Sequence, residues 1–594
     1  MYILVLSHAE RGSGLLPALK RISSDYSLES AGSFRVGLYN VQWASHPVLA
    51  LHQGNTELAE DGCSLIVGRP IQDATGVPSG LWVKVGFESE SGRLTIERDF
   101  AGLAAAFYVL GNGYCLLSDS VPVLLQFGCV SRVIDCIALN QTWFADYCFA
   151  PRTIWRDIRA VPNGHRAELR LTSPETATYV QTYIPGSYSH QIGPIHGSLS
   201  KTLRTRILNV TERCLAEQAQ APANLLSAGV DSSVVFAACN VLGQKPQVAI
   251  TFKSEGDSDE SVLAARTASH FRVPLHVVTA QDMDLIDAAR HISRLWGQPY
   301  GHSSVTSMMA LLEGLPPDIP LFTGDGGGEA FGQPPPPDNP PLRGLGRLLE
   351  SGWKRLPKRS RQAAYQALAI RSDLGRKAFY WKEWANWRTA GEFLAMKSTI
   401  TEADSDLVWH PDLSDYFCKK MIGQDISQFA RMAPLDDESE YARSWFFWWA
   451  PEGVYAKTWR ILDAMGTLGF APLTAPAFIE SVKAVPMAER GTRKQALRDS
   501  FAAELPREIL EAPGRGLSSL NRELLVGAWK DGIDWFTSVN LEESGEWFTI
   551  GSIEAMWRAH ANRTVFRTNL LFKAIVFRAW MEMWKPVLPD RSRL

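Results

Sequence analysis

Residues 227–233 read Ser-Ala-Gly-Val-Asp-Ser-Ser, between one apolar run ending at Leu226 and another beginning at Val234. Three hydroxyls (Ser227, Ser232, Ser233), Gly229 and the Asp231 carboxylate are packed into seven residues. A strand that breaks into such a turn and resumes as a helix aims backbone N–H groups, hydroxyls and a helix N-terminus at one point. That arrangement suits an anion such as a phosphate. A second turn, "LFTGDGGGEAFG" at 321–332, carries Gly324 and two carboxylates, Asp325 and Glu329. A third block, "RKQALRDSFAAELPREIL" at 493–510, carries Lys494.

The elements around these residues determine whether they can meet. A helix is expected over 200–218, followed by the strand "ANLLS" (223–227) and the turn, then a helix over 232–242. The strand "QVAITF" (247–252), a helix over 259–271, the strand "PLHVV" (274–278), a further helix and the strand "IPLFTGDGGGE" (319–329) follow. Strands alternating with helices predict a parallel sheet that binds ligands beyond its carboxyl ends, where both glycine-containing turns fall. From about 343 onward the pattern is mainly helical. Residues 1–182 instead read as short alternating strands such as "MYILVLSH", "GLWVKVGFES" and "GRLTIERDF", punctuated by Gly, Ser and Asn turns, the mark of an antiparallel sheet domain. The polar stretch 184–198 is expected to be a linker. No internal repeat is evident.

At 594 residues the chain is too long for one core. A net charge of −3 gives no global field for nucleic acid. The eight cysteines show no zinc spacing and the start is not signal-like, so a reducing cytoplasm is expected. No apolar run is long enough to span a membrane. The loop "QPPPPDNPP" (333–341) is expected to be non-helical, a stiff connector. Residues 341–389 hold twelve Lys/Arg against three Asp/Glu, with seven aromatics between: a solvated helical face, or a docking surface for an acidic peptide or protein.

The loop 227–233 resembles the pyrophosphate loop of ATP pyrophosphatases, Ser-Gly-Gly-x-Asp-Ser-Ser, with Ala228 replacing a glycine. If that position needs a positive φ, alanine costs about 1 kcal/mol. The resemblance implies ATP held by Leu226, Ser227, Gly229, Asp231, Ser232, Ser233 and Gly324, with Asp231 positioning Mg²⁺. The 321–332 turn resembles the asparagine-synthetase strand end Ser-Gly-x-Gly-x-Asp-Glu-x-Phe-Gly, but Gly328 stands where that family places its second metal carboxylate. Glu329, or Asp325, is then expected to complete the metal shell. "MGTLGFAPLTAPAFIESVKAVP" (465–486) is similar to the family's Glu-x-Arg-x-Pro-Phe-Leu-Asp segment, keeping Pro472 while Leu468, Phe470 and Ala475 replace its charged positions. The 493–510 block resembles Lys-x-x-Leu-Arg…Leu-Pro, which puts Lys494 at the catalytic lysine.

The N-terminal stretches 98–109, 116–128 and 153–165 resemble the glutaminase domain of asparagine synthetases, whose nucleophile is an N-terminal cysteine. Here the chain begins Met1-Tyr2 and its first cysteine is Cys63, so the fold is expected without the glutaminase activity. The fold class expected from these resemblances is α/β and α+β in two domains. Residues 1–190 form a degenerate Ntn-type, glutaminase-like sandwich; residues 191–594 form an ATP-pyrophosphatase parallel α/β sheet with a helical extension.

Two kinds of relative bring the amine with the substrate: β-lactam synthetases and lasso peptide cyclases. Asp325 sits where β-lactam synthetases carry a catalytic tyrosine. The "GDGG" turn with its long, basic, Pro- and Trp-containing insertion resembles the lasso cyclases. The tryptophan-rich carboxyl region ("WFFWWAPEGVYAKTW", "AWMEMW") suits gripping an extended substrate, though such aromatics are more often core than groove. That resemblance implies an AMP-forming macrolactam synthetase using ATP and Mg²⁺. Its catalytic residues would be Lys494, Asp325 and Glu329, and its metal residues Asp231 and Glu329. Its partners would be a linear precursor peptide, a leader-binding protein and a leader protease. A small-molecule amide ligase, an ammonia-dependent asparagine synthetase and a non-catalytic nucleotide- or peptide-binding scaffold stay open at this point.

Overall fold

The computed structural model describes residues 1–588 apart from 9–14, 29, 37, 46–50, 54–61, 73–74, 173–176, 183–197, 254–258, 280–283, 303, 317–318, 332–339, 385–399, 415–416, 418, 420–421, 423–444, 487–489, 491–493, 513–524, 526–533 and 537–546.

Two six-stranded sheets, antiparallel throughout their pairings, occupy the N-terminal part. The first runs in the order Arg159–Ala160, Phe107–Gly111, Tyr114–Ser118, Tyr2–His8, Tyr39–Ser45, Ser30–Val36. The second runs Thr178–Gln181, His165–Arg170, Arg93–Arg98, Trp82–Glu88, Gly62–Gly68, Leu51–Gln53. The period-2 alternation of "YILVLSH" explains how they stack. Tyr2, Leu4 and Leu6 share one apolar cluster with Val83, Val85, Leu94 and Ile96 of the second sheet. Ile3 and Val5 point the other way, into the large core that also holds Trp143, Val234 and Trp580. The first sheet is therefore covered on both faces, and its outer layer is continuous with the core of the C-terminal part.

The parallel sheet runs Leu275–Val278, Val248–Phe252, Ala223–Leu225, Leu321–Phe322, Gly469–Phe470, every pairing parallel. Its fifth strand, not expected from sequence, is two residues long and comes from the segment preceding Pro472. That segment reaches the sheet because the Leu321 and Thr323 amides donate to the carbonyls of Leu468 and Phe470. Helices Leu199–Ala216, Val230–Val241, Ser261–His270, Leu285–Trp296 and Val305–Glu313 accompany this sheet. Beyond it the described chain is mostly helical, including Pro340–Arg355, Asp373–Trp384 and Thr568–Trp584.

One expectation needs correction. Pro340 and Pro341 belong to the first turn of a helix, where a missing N–H and a fixed φ do no harm; residues 333–339 of that proline loop lie outside the described residues. The "AWMEMW" tryptophans are core: Trp580 is fully buried and Trp584 nearly so, their indoles donating to the carbonyls of Gly297 (3.3 Å) and Ser293 (2.9 Å). The side chains of Trp445–Trp448 lie outside the described residues. Among the described residues no helix is long and apolar enough to cross a membrane.

Candidate active site

The strand Ala223–Leu225 hands the chain to the 227–233 turn, and the helix Val230–Val241 starts from Gly229. The turn is closed by its own hydroxyls. Ser227 Oγ lies 3.0 Å from Ser232 Oγ and accepts the Gly229 amide at 3.0 Å. Ser232 Oγ accepts the Ser227 amide at 3.1 Å. Gly229 O accepts from Ser232 Oγ (3.2 Å) and Ser233 Oγ (2.9 Å). Ser233 is fully buried and serves the loop from behind. Ala228 is buried and is not among the positive-φ residues, so the expected strain is absent.

The glycine-rich turn packs directly onto this loop. A Cβ on Gly324 would overlap the Ser232 amide and come within 2.7 Å of the Asp231 carbonyl carbon. One on Gly327 would lie 2.6 Å from Asp231 Cγ. Gly326 has φ +101, and a Cβ there would lie 2.7 Å from the Thr474 amide, in the segment after Pro472. These three glycines let the two strand ends and the 472–474 turn meet. Gly328 differs. A Cβ there meets only Lys494, its Nζ at 3.4 Å, an ordinary contact.

Leu226, Ser227, Gly229, Asp231, Ser232, Gly324 and Asp325 thus line one cleft of about 210 Å³. Its apolar walls are Leu225, Ile250, Phe252, Met308 and Leu311. Polar atoms at one end and an apolar wall at the other suit a nucleotide. Asp231 Oδ1 is buried without a hydrogen-bond partner, while Oδ2 takes the ammonium of Lys494. An orphaned carboxylate oxygen beside an anion loop fits a divalent cation such as Mg²⁺.

Lys494 is held from below. It caps the helix Gln495–Ser500 with a left-handed backbone (φ +59). Arg204 of the helix Leu199–Ala216 ties this block down, gripping Glu504 at 2.7 and 2.9 Å and the Ser500 carbonyl at 3.0 Å. Arg498 is buried and donates to the carbonyls of Ile509, Leu510 and Ala512.

Glu329 lies in the short helix Gly327–Phe331. Burial raises its carboxyl above the ordinary range, with Lys494 acting against the shift. Asp325 is raised by burial as well, opposed by Lys457 and by a 3.0 Å hydrogen bond from Thr323 Oγ1. Sequence reasoning missed two neighbours. Lys457 is buried, lowered by desolvation and raised by Asp325 and Glu329; its Nζ donates to Ser304 Oγ at 3.0 Å, which contacts His302 Nδ1 at 3.1 Å. Tyr455 is pushed well up by burial, with the charge of Glu329 next. A lone lysine and a lone tyrosine in an apolar helix carry no spacing signal, so only the fold reveals them.

The Met1 amine pairs with Asp119 at 3.3 Å, and the Tyr2 amide donates to the same carboxylate at 3.0 Å. Cys63 lies in a strand of the second sheet, its thiol pushed up to about 11 by burial. Cys115, Cys136 and Cys148 are raised as well, chiefly by burial.

A parallel sheet ending in an anion loop, with a lysine and two buried carboxyls at its rim, defines a nucleotide-dependent ligase. The chain belongs to the asparagine synthase family, whose sequence model matches residues 203–585, more than half the chain and all of these site residues. Membership makes it an ATP-dependent amide-forming enzyme. No curated protein matches it. One solved structure, the allosteric regulatory enzyme of purine biosynthesis, aligns over 56% of this chain and 76% of its own at 7% identity. Its TM-score of 0.19 is too low to bear on the fold.

Proposed function

We propose that this member of the family closes a peptide macrolactam, as lasso peptide cyclases do. A side-chain carboxylate oxygen of an Asp or Glu in a linear peptide attacks the α-phosphorus of ATP, and pyrophosphate leaves. The peptide's N-terminal amine then attacks the activated carbonyl carbon, its proton passes to a base, and AMP departs. The observation that carries this reading is that Asp231 and Asp325 line one cleft, with Lys494 paired to Asp231 and Glu329 near enough to feel the charges of Lys494, Asp231 and Asp325. The basic helical insertion that begins at Pro340, shortly after this cleft, favours a peptide over a small acid.

Each residue has a role its surroundings support. The 227–233 loop holds the departing pyrophosphate, with Asp231, and Glu329 as a second candidate, for Mg²⁺. The metal, when bound, neutralises phosphate charge. Lys494 stabilises negative charge developing at the reacting acyl group. The attacking α-amine has a pKa of about 7.7–8.0 and is mostly protonated at pH 7, so a base is needed. Asp325, made more basic than an ordinary aspartate by burial, is the better placed candidate beside Lys457. The amine has to be freed first, which requires a leader protease and a leader-binding protein as partners.

Pyrophosphate exchange into ATP tests the reading. Exchange that requires a linear Asp- or Glu-bearing peptide, with a product lighter by one water, supports it. Exchange driven equally well by free aspartate or another small carboxylate replaces it with a small-molecule ligase.

A further inference from the structure

The Asp231 carboxylate has two claimants. Lys494 Nζ rests on Oδ2, while Oδ1 is the buried oxygen without a partner beside the phosphate loop. The Asp231 carboxylate occupies the space that Gly327 leaves by having no side chain, since a Cβ there would lie 2.6 Å from Asp231 Cγ. The pair is only partly exposed, 27% for Lys494 and 25% for Asp231. Charges so placed are weakly screened. On the far side of the ammonium, Gly328 offers no side chain: an added Cβ would sit 3.4 Å from Nζ, where a carboxylate or amide could engage the lysine. Glu329 is the other anion that acts on the Lys494 charge.

From this geometry we infer that Asp231 is shared, and that metal binding and release of the catalytic lysine are one event. A divalent cation and an ammonium on the same small carboxylate repel. With a cation on Asp231, Lys494 would be released from that carboxylate and its ammonium would be free to engage the acyl group to be activated. Metal–nucleotide thus arms the lysine before the carboxylate substrate is engaged. Gly328 is what leaves Lys494 no nearer anion to rest on, so the lysine masks the metal carboxylate whenever the nucleotide is away. This inference rests on reading Asp231 as the metal carboxylate, and it is independent of which acyl substrate the enzyme takes.

The test uses the full chain with Mn²⁺ as probe and a non-hydrolysable ATP analogue, without peptide, so that its outcome is separate from the macrolactam reading. Mn²⁺ binding is followed by electron paramagnetic resonance. Lys494→Asn keeps a residue tolerant of the left-handed backbone but cannot reach Asp231; it should tighten Mn²⁺ by about two- to fivefold, the range expected for removing one partly exposed ion pair. Gly328→Asn, which leaves the lysine charge in place and offers it a neutral acceptor, should shift affinity the same way by less. Asp231→Asn should lose Mn²⁺ binding. Unchanged or weaker Mn²⁺ affinity in both Lys494→Asn and Gly328→Asn overturns the inference, as does Mn²⁺ binding retained in Asp231→Asn.

Discussion

At the scale of single residues, the site depends on two side chains that meet across 263 positions of sequence. Asp231 stands in the first turn of the helix Val230–Val241, 25% exposed with Oδ1 unpartnered, so its truncation leaves no core cavity. Asp231→Ala should abolish AMP formation while the circular dichroism spectrum and melting temperature stay close to wild type. Substantial turnover of the purified variant in Mg²⁺ would place the metal elsewhere. Lys494→Met keeps most of the stem volume and removes the charge. If that charge acts on the activated acyl group, kcat should fall by about two to three orders of magnitude, as for loss of one preorganised donor. Nucleotide affinity at saturating metal should change little if, as proposed, the 227–233 loop rather than Lys494 holds the phosphates. A variant with weakened nucleotide binding and normal kcat would move Lys494 to the nucleotide. The residues of the two turns and Lys494 were legible in sequence because serines, glycines and carboxylates at fixed offsets are a local code. Lys457, Tyr455 and His302 were not, since their relevance comes only from where helices cross.

At the scale of elements, the glycine-rich turn shows how little a motif says about each of its members. Gly324, Gly326 and Gly327 are forced by close backbone or carboxylate contact, whereas Gly328 faces open space bounded by Lys494. Gly324→Ala should therefore push the two strand ends apart and weaken nucleotide binding by at least tenfold, about 1.4 kcal/mol, the low end of the cost of overpacking. Gly328→Ala should bind nucleotide like wild type. Equal effects of the two variants, measured by equilibrium titration with the ATP analogue, would show that the loops do not touch as described. The strand–turn–helix alternation of 200–330 was readable because its apolar runs are bounded by turn residues. The fifth strand, Gly469–Phe470, was not: two residues carry no periodicity, and its place is fixed by two amide–carbonyl hydrogen bonds to residues about 150 positions away. The helix Leu15–Asp25 departs from the reading of residues 1–182 as alternating strands; its apolar Leu15, Leu19 and Ile22 follow the helical spacing.

At the scale of the whole molecule, the N-terminal sheets are fixed to the ligase part by buried charge. Arg98, 2% exposed, reaches Glu452 at 2.9 Å and the carbonyls of Ala104, Val161 and Gly102. Glu452 lies in the segment Trp445–Tyr455 that leads to Tyr455 and Lys457. Glu452→Ala strands a guanidinium in the interior and should destabilise the chain by about 3–5 kcal/mol in urea unfolding. A loss under 1 kcal/mol would mean that the carbonyls alone satisfy Arg98. Beside it, Asp99 accepts the amides of Leu103 (3.1 Å) and Ala104 (2.9 Å), yet burial pushes its carboxyl up to about 6, with Arg98 opposing. An unfolded aspartate titrates near about 3.9, so the folded chain holds this proton more tightly. The group's contribution is full below about pH 4 and is lost as pH rises through 6, the opposite of a salt-bridged carboxylate. Asp99→Asn cannot ionise and keeps one carbonyl oxygen for the two amides. Relative to this variant, wild type should lose about 2 kcal/mol of stability between pH 4 and 7. A difference in urea midpoints that stays constant across that range, or that favours wild type as pH rises, would show that the amides and Arg98 outweigh burial and that Asp99 is ionised in the folded chain.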